Sequence, residues 1–183
     1  MSTIVILAGR RIDAENASIE RFPRRMVANV AKSIRDTLTE CSAICLVCSA
    51  AAGADLLALD TALDIGIRCR VVIFSSVEEF GRASVSDRGP EWEAMYTRVI
   101  RAVGSCNLVC VPAGSDDASS FRQVNERLFE EAFAEKESQN VTDEVSVAVW
   151  DQRRKSEPDF TAEYIDIAKK YGIKLISITT IDH

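Results

Sequence analysis

Two short stretches hold the residues that could do chemistry. Val47-Cys48-Ser49-Ala50-Ala51-Ala52-Gly53-Ala54-Asp55 reads as the end of a buried strand, a run of very small residues, then the opening of a helix. Such a turn lets backbone N–H groups approach a ligand closely, and the partial positive end of the helix favours an anion, a phosphate above all. The layout recurs at Leu7-Ala8-Gly9-Arg10-Arg11, where the apolar run 4–7 leads into glycine and two cations. Two strand ends with small or cationic exits point to a nucleotide-like ligand above one edge of a sheet. Small residues after a strand also serve plain tight packing, so neither stretch is decisive alone.

Each candidate residue has a chemical reading and a structural one. Ser49 and Gly53 form the phosphate-facing part of the second exit, and Asp55 is the first-turn acid of its helix, where it equally complements the helix dipole. Gly9 opens the first exit. One of Arg10 and Arg11 could fork onto a phosphate while Asp13 accepts from a ribose hydroxyl. The alternative is a solvated surface cluster with Asp13 and Glu15, worth little. The segment 84–92 mixes charges with a helix start and supplies Arg88 to the same ligand. Trp92 could stack on a base, although anchoring its helix to the sheet is the better reading. Asp151, after the fifth strand, or Asp159 could bind ribose, with Thr161 donating to phosphate; Asp159 or Thr161 serves equally as an ordinary helix N-cap.

The inventory excludes some chemistry. The only histidine is His183, so a Ser–His–Asp or Cys–His system has no base. Carboxylate chemistry stays open through Asp13, Asp55, Asp151, Asp159 or Glu163. Cys45 and Cys48 have CxxC spacing, but an offset of three along a strand turns them to opposite faces. Zinc would need further ligands, so no metal site and no resident cofactor are expected. The six cysteines, Cys41, Cys45, Cys48, Cys69, Cys106 and Cys110, read as reduced core thiols of a cytoplasmic protein.

The elements that must position these residues alternate along the chain. Strands are expected at 3–8, 43–48, 70–74, 107–111, 145–150 and 173–178. Helices are expected at 23–38, 54–65, 90–103, 121–136 and 160–171. Between them lie a helical turn at 78–80, an irregular loop over 82–89, a loop at 112–120 and a polar loop at 151–159. Apolar strands without alternation, separated by helices, predict a Rossmann-like three-layer α/β/α sandwich on a mainly parallel sheet of about six strands. Ligands of such sheets sit at the carboxyl ends of the strands near the switch point, which gathers the first two exits and the 151–161 loop into one mouth. At 183 residues the chain is most simply one domain. A net charge of −6 argues against general nucleic-acid binding, since no wide basic surface is left for counterion release. No run approaches the roughly 20 apolar residues of a membrane span, and residues 1–3 lead straight into a strand without a signal-peptide pattern.

Gly9-Arg10-Arg11-Ile12-Asp13, then Arg21-Phe22-Pro23, Ser49 to Asp55, Ser84 to Trp92, and finally Trp150-Asp151 with the Thr161 helix together resemble the SLOG superfamily in order over nearly the whole chain. The likeness is greatest to bacterial SLOG-type domains that accompany tetratricopeptide or signalling modules. The superfamily includes LOG-type nucleoside-monophosphate phosphoribohydrolases, DprA-like proteins and sensors of nucleotide or NAD-derived signals. LOG-type hydrolases carry a glycine-rich loop ending in Gly-Thr, with a glutamate three positions later. Here the corresponding segment is Ser156 to Tyr164; its glycines are missing and Tyr164 stands where the catalytic acid would be. Glu163 is one residue off, about 100° around the helix. The resemblance therefore implies a nucleotide-binding sensor module rather than a phosphoribohydrolase. It also implies a homodimer, through helix 91–103 or 121–136, and a separate effector protein. An N-glycosidic hydrolase or transferase, and an interaction scaffold with a degenerate pocket, are the alternatives.

Overall fold

The sheet is built outward from β1 (Thr3–Gly9), whose residues are buried through Ala8. A strand covered on both faces needs apolar side chains at every position, and Ile4-Val5-Ile6-Leu7 supplies them. In the computed structural model, which describes residues 2–182, six strands run parallel in the order β4-β3-β2-β1-β5-β6. The others are β2 (Ala43–Cys48), β3 (Arg68–Phe74), β4 (Leu108–Val111), β5 (Asp143–Trp150) and β6 (Lys174–Thr179). Leu7 stands beside Cys48 on one side and Val147 on the other. His183 lies outside the described residues.

Helices α1 (Val27–Glu40), α2 (Ala54–Asp64) and α4 (Pro90–Val103) pack in series, while α5 (Asp117–Ser138) and α6 (Phe160–Lys170) pack on each other. Right-handed crossovers account for the two layers: β1 to β4 step outward in one direction, and α5 then carries the chain back across the sheet to β5. The strand order therefore reverses between β1 and β5, and their carboxyl ends flank the crevice of the sheet.

Two segments differ from the sequence reading. The stretch read as a turn and an irregular loop is helix α3 (Val77–Ser84) followed by a 3-10 turn, Ser86–Arg88. Ser76 caps α3 by accepting from the Glu79 amide, and buried Phe80 anchors it against Phe74 and Phe121. Helix α5 begins at Asp117 rather than Phe121, because Asp116 and Ser119 form a reciprocal capping box. Among the cysteines, Cys45, Cys48 and Cys69 are core residues; Cys106 and Cys110, read as core thiols, are exposed beside and on the edge strand β4. Among the described residues, no helix is long and apolar enough to cross a membrane, and no three His, Cys, Asp or Glu side chains group to hold a metal ion.

Candidate functional site

Arg10 leaves β1 at the switch point, and its backbone amide donates to the Val149 carbonyl at 2.8 Å, extending the β1–β5 ladder by one residue. Its side chain turns inward and is only 5% exposed. Nε donates to Asp151 Oδ1 at 2.8 Å, Nη1 to Asp159 Oδ1 at 2.5 Å, and Nη2 to the Arg153 carbonyl at 2.6 Å. The second oxygen of Asp151 accepts from Arg21 at 2.7 Å. Asp159 also accepts from the amides of Lys155 and Ala162, so it caps α6. Burial raises the Asp159 pKa, but the Arg10 guanidinium and these two amides outweigh it and hold the carboxyl below its ordinary value.

This cluster changes the roles expected of three residues. Arg10 forks onto a carboxylate of its own chain rather than standing free for phosphate. Asp151 and Asp159 are buried against cations and amides, and neither lines the cavity described below. The N-terminus of α6 already holds an anion, the Asp159 carboxylate, where a bound phosphate was expected.

The second exit is tightened in the same way. The Ala52 amide donates to Ser84, Ala54 to the Arg10 carbonyl and Ile12 to the Ala52 carbonyl, which locks the β1 and β2 exits together. Gly53 sits at that crossing with φ +126, and a Cβ there would overlap the Ile12 amide nitrogen. Its glycine character serves the approach of two backbones rather than of a ligand. The expected cradle of loop amides is largely closed by the chain itself. Asp55 is different: it is 7% exposed, one oxygen accepts from the Ala51 amide at 3.3 Å, and Oδ1 has no partner. Burial drives its pKa from 3.8 up to about 7, against the lowering influence of the Ala51 and Gly9 amides, the Cys48 thiol and the charge of Arg11.

A cavity of about 410 Å³ opens between these exits and α5. Eight residues singled out from sequence line it: Gly9, Arg10, Arg11, Asp13, Ser49, Asp55, Arg88 and Thr161. Gly53, Trp92 and Asp151 do not line it. Trp92 is 3% exposed in the core, where it anchors α4. Asp13 accepts from the Arg21 and Phe22 amides and thereby shapes the 13–22 loop over one side. Glu163 pairs with Arg122 on the α5 surface. Tyr164 is wholly buried, donating to the Ile6 carbonyl at 2.9 Å and hydrogen-bonded to Ser146 at 2.5 Å. Of the five carboxylates with open roles, only Asp13 and Asp55 reach the cavity.

Three polar lining residues were not singled out from sequence: Arg21, Lys155 and Asn125. Arg21 and Lys155 stand in segments that were noticed as motif and mouth, but nothing local distinguishes them from ordinary surface cations. Asn125 lies in mid-helix and donates to the Phe160 carbonyl at 2.8 Å. With Arg11 and Arg88, the cavity is lined by cations that crowd each other. Arg11 and Arg88 share Asp87. The Lys155 ammonium, on an exposed residue at the cavity rim, has no ion-pair or hydrogen-bond partner among the described residues; partial loss of solvent, and then the charges of Arg10, Arg21 and Arg11, lower its pKa against the pull of Asp159. Phe121, Val124, Leu128 and Phe160 add apolar lining to the same cavity.

The fold and site thus define a Rossmann-like α/β protein with a cationic, half-apolar cavity at its switch point. No protein-family model matches the chain, and no curated protein matches it.

Proposed function

We propose that the protein is a ligand-binding module for a nucleotide or nucleotide-derived small molecule, in the manner of the nucleotide-sensing SLOG domains it resembles. The observation that carries this reading is one cavity that joins the unpaired Lys155 ammonium, and the arginines Arg11, Arg21 and Arg88 with one carboxylate partner each, to an apolar wall. A phosphate satisfies Lys155, Arg11, Arg21 and Arg88, and a base covers Phe121 and Phe160. The phosphate position in this reading is the Lys155–Arg21 side rather than the α6 N-terminus, which Asp159 fills. Dimerisation through α4 or α5 and coupling to a separate effector belong to the same proposal.

Calorimetry with mono-, di- and cyclic nucleotides and ADP-ribose tests the reading. Binding of at least one of them, weakened by salt, is expected; failure of all with folded protein refutes it and leaves the scaffold alternative. A second reading, an N-glycosidic hydrolase or transferase, is favoured by Asp55, a buried cavity carboxyl with a pKa near neutrality. Release of free base or ribose phosphate during the same titrations separates it from binding alone.

A further inference from the structure

Of the carboxylates that pair with the cavity arginines, one differs from the rest in its access to water. Asp151 and Asp159, which between them hold Arg10 and Arg21, have side chains 1% and 5% exposed. Asp87, on the turn after α3, is 51% exposed and pairs with both Arg11 and Arg88. A buried carboxylate cannot leave its arginine without stranding two charges away from water. An exposed one turns into solvent at little cost, because an exposed ion pair is weak.

Both partners of Asp87 have other anchors beside the cavity. Arg88 Nε donates to the Ile12 carbonyl at 2.8 Å, and Arg24 donates to the Arg88 carbonyl at 2.6 Å. The backbone of Arg11 is bridged to Gly53 where the two strand exits cross. The two guanidinium groups also repel each other: burial lowers the Arg11 pKa, the charge of Arg88 adds to that, and Asp87 opposes both. Arg11 Nε is buried with no partner among the described residues, so Asp87 leaves this cation incompletely satisfied. Asp87 itself does not line the cavity, and an anion entering there meets two arginines already paired.

We propose that Asp87 competes with the ligand's anionic group for Arg11 and Arg88, and thereby holds down the affinity of the cavity for phosphates. The inference rests on the part of the nucleotide reading that puts an anion in the cavity, and adds what that anion must displace. A phosphate offers more acceptor oxygens, and as a dianion more charge, than one carboxylate shared between two cations. It takes both guanidinium groups while Asp87 turns to water. Asp151 and Asp159 keep their arginines throughout, because neither can reach solvent.

The test measures, by calorimetry at one salt concentration, the affinities of wild type, Asp87→Asn, Asp87→Ala and Glu15→Gln for inorganic pyrophosphate, AMP and adenosine. Asp87→Asn tightens pyrophosphate and AMP about fivefold, the scale of one exposed ion pair, and leaves adenosine unchanged. Asp87→Ala gives the same gain and serves if the asparagine variant does not fold. Glu15 is an exposed acid of the 13–22 loop without an ion-pair partner among the described residues. Its replacement by glutamine changes affinity less than about twofold, since a solvated charge acts weakly at a distance. Anion affinity that is equal or weaker in both Asp87 variants overturns the inference, because Asp87 then holds the arginines in place for the ligand. An equal gain in Glu15→Gln overturns it as well, because the general field of the surface then accounts for the effect. A gain for pyrophosphate with no nucleotide bound supports the inference and refutes the nucleotide reading. No anion bound by any of the four proteins overturns both.

Discussion

Replacing Asp55 by asparagine should change how stability depends on pH, and the size of the change follows from where the carboxyl sits. Asp55 is buried at the start of α2, and its pKa is pushed from 3.8 up to about 7 in the folded protein. The folded state therefore holds the proton more tightly than the unfolded chain. Stability contributed by the acid form is intact below pH 3.8 and is lost as pH rises to about 7. At about 1.4 kcal/mol for each pH unit, the complete rise amounts to about 4 kcal/mol. About 3 kcal/mol of it falls between pH 5 and pH 8, a window above the acid transitions of ordinary carboxylates. Asparagine keeps the shape and does not titrate. Urea unfolding of wild type and Asp55→Asn across that window should show the variant gaining about 3 kcal/mol relative to wild type on going from pH 5 to pH 8. Every other titrating group is common to both proteins and cancels in the difference. Parallel stability curves would refute the claim that burial holds this carboxyl near neutrality.

Lys155→Ala should weaken nucleotide binding by about tenfold, removing one charge-assisted contact, with little loss of stability because the ammonium has no protein partner; calorimetry and thermal unfolding read the two effects separately. Arg10→Met should cost about 3–5 kcal/mol in urea unfolding, because the buried Asp159 carboxylate loses its only cation, whereas Asp159→Asn should cost less because Arg10 keeps Asp151. Because the folded-state pKa of Asp159 lies below its ordinary value, the stability it confers is present above 3.8 and disappears as pH falls, so Asp159→Asn should also flatten the acid limb of the stability profile.

The Asp159–Arg10 pair alters how this switch point is read. In an open parallel sheet the helix N-terminus after the strand beyond the switch is a natural anion site. Here that place belongs to a carboxylate of the chain, which ties the β1 exit, the 151–158 loop and α6 into one block. Of the cations that line the cavity, Lys155 belongs to that block, while Arg11, Arg21 and Arg88 come from segments beside it.

The fold was legible because its signals are local. Ile4-Val5-Ile6-Leu7 and Ala43-Ile44-Cys45-Leu46-Val47-Cys48 read as buried strands from their own composition, and the alternation with helices leaves little choice but a parallel sheet. The 78–88 segment was misread because Gly81 and the polar run after it look like loop residues. What stabilises α3 is its Ser76 cap and the packing of Phe80 on Phe74 and Phe121, the last a residue of a different helix.

The site divides along the same line. Residue types and strand exits drew attention to Gly9, Arg11, Ser49, Asp55 and Thr161, which share one cavity. Whether a given arginine or carboxylate is free was not legible, because a charge's availability depends on partners that can lie anywhere in the chain. Arg10 meets Asp151 and Asp159 across 141 and 149 residues of sequence, and only the return of α5 across the sheet brings Val124 and Asn125 to the cavity that Lys155 also lines. Sequence determined which strands form and which groups leave their ends, since hydrophobic pattern and turn chemistry act over a few residues. The tertiary structure alone decided which of those groups neutralise one another and which, like Lys155, remain without an ion-pair partner, since burial and Coulomb pairing act through space.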